Sequence, residues 1–173
     1  DNYFALLPIP NLLMARDAQV VIGDGVIISS MAKFARAREA RLSRFIFSHH
    51  PQLKNNAMHL DFQGEKGVDH SRYGSLSLEG GDIIVFREGV VVVGVSERTM
   101  EKSIDVLAAA LRRTGNFKAL VMVRMPTSRS QMHLDTIFTR VSDSEILVYP
   151  PMLLEGFAET LSVTSIDLSP EST

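Results

Sequence analysis

Glu79-Gly80-Gly81-Asp82 runs into Ile83-Ile84-Val85-Phe86, then Arg87-Glu88-Gly89, then Val90-Val91-Val92-Val93. Two β-branched runs on either side of a Gly-containing turn read as a β-hairpin. Beyond it, from about residue 99 to 114, Ile104, Leu107, Ala108 and Leu111 fall on one stripe at helical spacing. Gly115-Asn116 supplies a stop for that helix, and Leu120-Val121-Met122-Val123 reads as a further strand. The unit is therefore strand, strand, helix, strand.

The same order precedes this unit and begins again after it. Arg16-Asp17 leads into Val20-Val21-Ile22, a Gly23-Asp24-Gly25 turn and Val26-Ile27-Ile28. Residues 31 to about 45 turn to Ala, Arg, Lys and Glu, which favour helix. Arg44-Phe45-Ile46-Phe47 is expected to open another strand that ends at His49-His50-Pro51. The polar stretch from Gln52 to Tyr73 is expected to be loop around a short strand at Met58 to Phe62. Upstream, Leu7-Pro8-Ile9-Pro10-Asn11 is expected to be extended, because each proline disfavours helix at the residue before it. The third occurrence starts at Met132-His133-Leu134-Asp135-Thr136. It continues through Ile137-Phe138, turns at Ser142-Asp143-Ser144 and returns through Ile146-Leu147-Val148-Tyr149. Read as a strand, Met132 to Thr136 puts His133 and Asp135 on one side and Leu134 on the other.

Nineteen residues separate Asp17 from Arg36, and nineteen separate Glu79 from Arg98. Laying His133 on Asp17 and Glu79 is expected to bring the three hairpins into step without gaps. Repeats of this kind stack along a line or around an axis, so equivalent positions converge. Asp17, Glu79, His133 and Asp135 are then expected to point into one pocket, with Arg36 and Arg98 at its rim. Each residue also has a plainer reading: Asp17 and Arg16 as a surface pair, Glu79 as a turn cap, Arg36 as a solvated cation.

Length and composition set the outer bounds. The chain has 173 residues, one domain's worth, and 45% apolar content is enough to bury a core. A formal net charge of -2 argues against a general polyanion binder. The basic positions Lys33, Arg36, Arg38, Arg41 and Arg44 are interrupted by Glu39 and lack an aromatic platform, so no nucleic-acid partner is expected. No apolar run is long enough for a transmembrane helix and no signal-peptide core opens the chain; a soluble, cytoplasmic protein is the expectation. Cysteine is absent, which removes disulfides, thiolate metal sites and a cysteine nucleophile from these residues. His49, His50, His59 and His70 do not follow zinc-site spacing, and no Gly-x-Ser-x-Gly elbow or dinucleotide fingerprint occurs. Neither a metal nor a cofactor is expected.

A pocket of carboxylates beside a histidine suits a planar cation, since parallel hydrogen bonds match guanidinium to carboxylate. Two arginines nearby suit an anionic group at the ligand's other end. An arginine-like zwitterion satisfies both.

Pro10-Asn11-Leu12 with Arg16-Asp17, Leu78-Glu79-Gly80-Gly81-Asp82, Gly94-Val95-Ser96-Glu97-Arg98-Thr99 and Met132-His133-Leu134-Asp135-Thr136 together resemble the arginine deiminase family. The resemblance runs from about Leu7 to Pro151. It implies an α/β fold, part of a fivefold pseudo-symmetric α/β propeller built of ββαβ repeats. About three of five units are present, starting near residues 11, 79 and 133. It implies that Asp17 and Glu79 bind the guanidinium, that Asp135 is a second carboxylate positioning it, and that His133 is the general acid/base. Asn11, Arg36 and Arg98 match positions that bind the amino-acid end of L-arginine, and Met14 falls where many members carry an aromatic residue over the substrate. In the family a cysteine attacks the guanidinium carbon, ammonia leaves, and water releases citrulline, with no cofactor or metal. That cysteine lies in a Gly-rich C-terminal stretch of the family, and the family's first unit precedes the point where this chain begins. Residues 1–173 are therefore expected to be an incomplete deiminase domain, inactive alone and prone to self-association or to pairing with a complementing fragment, and the parent is expected to be a homo-oligomer. Two alternatives stand beside this: a non-catalytic guanidine-binding or assembly protein of the same fold, and an enzyme for another guanidine such as agmatine or a methylarginine.

Overall fold

Gly23, in the left-handed region at φ 60°, closes the first hairpin: β1 (Gln19–Ile22) pairs antiparallel with β2 (Gly25–Ile28). Helix α1 (Ala37–His49) carries the chain over to β3 (Ala57–Asp61), which lies parallel to β2. The crossover is what a parallel neighbour requires. The order then recurs. Strand β4 (Ile83–Arg87) pairs antiparallel with β5 (Val90–Val95), and α2 (Glu101–Thr114) leads to β6 (Ala119–Arg124), parallel to β5. A third hairpin, β7 (Phe138–Arg140) with β8 (Ile146–Val148), precedes the short helix α3 (Pro150–Leu153). Last comes β9 (Ser162–Asp167), antiparallel to β6 at the edge of the second sheet. This computed structural model describes residues 8–63, 76–87, 89–153 and 161–169. The expectations for Leu7, for the loop from 64 to 75 with His70, and for Glu88 lie outside the described residues.

The second sheet has apolar runs rather than alternation because both of its faces are covered. Val91 and Val93 of β5 face the main core, with Ile27, Leu60, Ile83, Leu120 and the α2 residues Ile104, Leu107, Ala108 and Leu111. Val92, between them, faces a second cluster made with Ile84, Val123, Leu134, Ile137 and Met152. The predicted stripe of α2 is buried, and Gly115 ends the helix at φ 70°. Reciprocal backbone hydrogen bonds between Ser30 and Leu78 join the first unit to the second.

Four local expectations are corrected. Arg44 to Phe47 is not a strand but the last turns of α1, which runs to His49. Ala40, Ser43 and Phe47 fall on one helical face, and Phe47 and Ala40 pack with Val26 and Ile28, so packing overrides the β propensity of the Phe-Ile-Phe run. Pro10 opens a 3₁₀ turn, Pro10–Leu13, rather than extended chain, since its missing N–H costs nothing at a helix start. Met132 to Thr136 is not a strand either: His133 is extended at φ -135°, and Leu134–Thr136 is a 3₁₀ turn. The Asp82 carboxylate, distant in sequence, accepts from the Leu134 N–H, and the Thr136 hydroxyl donates locally to the His133 carbonyl; these two bonds replace a strand ladder. The hairpins are also not in step without gaps. The first strand starts two residues after Asp17, four after Glu79 and five after His133. Strand β9 was not anticipated; its mostly exposed polar positions gave only Val163 and Ile166 as an apolar signal.

Candidate active site

Three 3₁₀ turns meet at one place: Ala15–Asp17, Gly80–Asp82 and Leu134–Thr136, each just ahead of a hairpin. Their close approach depends on the glycines of the second turn. A Cβ on Gly80 would stand 1.9 Å from the Arg16 carbonyl oxygen. One on Gly81 would stand 2.6 Å from the His133 ring and 3.0 Å from Asp17 Oδ1. Arg16 then ties the turns together, donating to the carbonyls of Gly80 (3.4 Å) and Ile83 (3.1 Å) and lying 3.7 Å from Asp135 Oδ2.

Within this junction Glu79 is fully buried and its Oε2 is 2.9 Å from His133 Nε2. Its other oxygen accepts from the Ala32 N–H at 2.8 Å. Asp17 Oδ1 lies 3.8 Å from His133 Nδ1, so the imidazole sits between two carboxylates. Burial would depress the His133 pKa, but the Glu79 hydrogen bond and the charges of Asp82, Asp17 and Glu79 outweigh it and raise it. Burial raises Asp135, against the opposing charges of Arg16 and His133.

Arg36 and Arg98 are not at a rim; they are 7% and 6% exposed and turned inward. Arg36 donates to Asp17 Oδ2 at 2.7 Å and to both oxygens of Glu39, and lies 3.7 Å from Glu79. Burial opposes its charge, while Glu39 and Asp17 more than restore it, so its pKa is raised. Arg98 lies 3.7 Å from Glu79 Oε2, and its Nε, though buried, has no hydrogen-bond partner among the described residues. The side chains of Asn11 and Met14 belong to an exposed segment whose backbone carbonyls accept from Arg36 at 3.5 Å. The structure thus brings together Asp17, Glu79, His133, Arg36 and Arg98, sets Asp135 beside them through Arg16, and leaves the side chains of Asn11 and Met14 exposed.

Sequence reasoning missed Glu39, Asp82, Ser96 and Thr99. Glu39 was visible as an i, i+3 partner of Arg36 on a helix but counted there only as a break in a basic run. One donor atom each from Asp17, Glu79 and His133 lies within 4.8 Å of the others, a spacing that could hold a cation. The positive charge beside the two carboxylates is supplied by Arg36 and Arg98. Chemically, the junction offers a histidine held by one carboxylate for proton transfer and further carboxylates suited to a guanidinium.

A family profile described as arginine deiminase matches residues 1–171. The chain is 42% identical over 148 residues to an arginine deiminase of Listeria welshimeri, covering 85% of this chain and 34% of that protein. It is 40% identical over 148 residues to an arginine deiminase of Listeria monocytogenes serotype 4a, with the same coverage. The chain therefore spans about a third of the length of the curated relatives it matches. Among solved structures it is similar in fold to DDAH from Pseudomonas aeruginosa complexed with citrulline, with TM-score 0.63 and 16% identity over 80% of this chain and 47% of that one. It is also similar to the N-terminal domain of ArgZ, an arginine dihydrolase from Cyanobacteria, bound to product (TM-score 0.60, 23% identity, 82% and 45% coverage). Among the described residues no helix is long and apolar enough to cross a membrane.

Proposed function

Because the chain belongs to the arginine deiminase family, we propose that its buried junction is the carboxylate, histidine and arginine part of a site that hydrolyses L-arginine to L-citrulline and ammonia. The observation that carries this reading is the convergence of Asp17, Glu79 and His133 from three separate turns, with Glu79 holding His133 at 2.9 Å.

In this reading Asp17 and Asp135 hold the substrate guanidinium flat, whereas Glu79, expected to bind it too, has one oxygen on the Ala32 N–H and the other on His133, so it orients His133 and favours its protonated form. A cysteine thiolate from outside these 173 residues attacks the guanidinium carbon. The C–N bond to the departing nitrogen breaks as His133 gives it a proton, and ammonia leaves. Neutral His133 then takes a proton from water, whose oxygen attacks the amidino-thioether; the C–S bond breaks, the thiolate is restored and citrulline is released. In the same reading Arg98, whose buried Nε makes no hydrogen bond among the described residues and lies 3.6 Å from Glu97 Oε1, receives the substrate carboxylate. That favours arginine over agmatine, which has no carboxylate. The ββαβ order of the first two units supports reading the fold as part of a propeller of such repeats.

A chimera tests the reading: this chain replaces the matching stretch of the Listeria welshimeri arginine deiminase, which supplies the remaining length. The chimera is expected to form citrulline from L-arginine and not to turn over agmatine, and His133→Ala is expected to reduce the rate at least about a hundredfold. A folded chimera that binds arginine without turnover, or one that keeps full activity with His133→Ala, overturns the proposal.

A further inference from the structure

Asp82 has no part in the chemistry above, yet it is completely buried and both of its oxygens are engaged. Oδ1 accepts from the Leu134 N–H at 2.9 Å, and Oδ2 accepts from the Ser96 hydroxyl at 2.7 Å. Ser96 Oγ in turn accepts from the N–H groups of Arg98 (2.9 Å) and Thr99 (3.2 Å). Thr99 Oγ1 accepts from the Glu79 N–H at 3.1 Å, and Glu79 holds His133, whose next residue is Leu134. These bonds close a ring through three segments of chain that are far apart in sequence.

We propose that Asp82 is a positioning residue, the shared anchor that sets both the His133 imidazole and the Arg98 guanidinium of the guanidine site. The proposal rests on the site reading given above. Three observations carry it. The Leu134 N–H is the first of its 3₁₀ turn, so anchoring it fixes the backbone that presents His133. The Ser96 hydroxyl donates to Asp82 while accepting from two amides, so an uncharged amide at 82 would turn an N–H toward an oxygen whose acceptor sites are already taken. The space for the carboxylate exists because residue 94 is glycine: a Cβ there would stand 2.5 Å from Asp82 Oδ1 and 3.0 Å from Leu134 Cβ.

The test uses the 173-residue chain itself, by NMR of its amides and histidine rings. Asp82→Asn is expected to lower the His133 titration midpoint by about one pH unit and to move the Leu134 amide upfield. Gly94→Ala, which removes no charge but displaces the carboxylate, is expected to move the Leu134 amide the same way and to cut its exchange protection about tenfold. Ser96→Ala is expected to do this to the Arg98 and Thr99 amides. If Gly94→Ala and Ser96→Ala fold with native dispersion while these amides and the His133 titration stay in place, Asp82 is not the anchor. Should Asp82→Asn fail to fold, the other two variants decide the matter. No readout involves substrate, so a chimera that makes no citrulline leaves this test intact, and the reverse also holds.

Discussion

His133 and Asp82 are buried groups whose proton affinities are both raised, the first by neighbouring carboxylates and the second by loss of solvent. Burial pushes Asp82 up to about 6 from an ordinary value of 3.8, against the hydrogen bonds of Ser96, Thr99 and Leu134. Each group binds its proton more tightly in the native chain than in the unfolded one, so each favours folding at lower pH. The His133 contribution is complete below about 6.5 and is lost as pH rises through its higher native value. The Asp82 contribution is complete below the unfolded carboxylate range and is lost as pH rises through about 6. Together they are expected to lower stability as pH rises from 5 to 8. Urea midpoints across that range check it, and Asp82→Asn is expected to flatten the slope; a midpoint that rises with pH contradicts the assignment. Glu39 acts at the same scale: at 1% exposure, gripping Arg36 by both oxygens, it keeps a buried guanidinium from standing uncompensated.

The elements that matter most are the shortest. The 3₁₀ turns Ala15–Asp17, Gly80–Asp82 and Leu134–Thr136 carry the chemistry because they let side chains leave the backbone just ahead of rigid hairpins. Their packing leaves no room at Gly80, where a new Cβ would meet backbone rather than a movable side chain. Gly80→Ala is therefore expected to destabilise by about 3 kcal/mol or more. Gly115→Ala, which meets nothing within 4 Å and suffers only the left-handed φ, is expected to cost about 1 kcal/mol. Equal losses for the two in chemical denaturation would show that the turn junction is not tightly packed. How much of this was legible varied by element. The α2 stripe and the hairpins stood out because burial follows their periodicity. The 3₁₀ turn after His133 did not, because its first N–H is held by Asp82, which is distant in sequence.

At the scale of the molecule, the first two units each bring a helix and a parallel strand to their hairpin. Among the described residues the third hairpin has no such parallel strand. A two-stranded ribbon is marginal by itself, and this one exposes Val141, Ile146, Leu147 and Tyr149. Val163 on the edge strand β9 is exposed as well. The 173-residue chain is expected to self-associate with rising concentration, and Leu147→Ser with Ile146→Ser to shift it toward monomer. Sedimentation velocity over a tenfold or wider concentration range checks this; a sharp monomer throughout sinks it.

Composition, the ββαβ order and the linked Glu79-Gly80-Gly81-Asp82 and His133-Leu134-Asp135-Thr136 motifs determined the family and nominated Asp17, Glu79, His133, Arg36 and Arg98. Those are local patterns, and local patterns survive in one dimension. Tertiary structure decided that Glu79 grips His133, that Arg36 and Arg98 turn inward, and that Glu39 and Asp82 anchor the rest. A carboxylate's partner is set by which turns touch, and in this chain the close approach needs Gly80 and Gly81 to have no side chain to hold the turns apart.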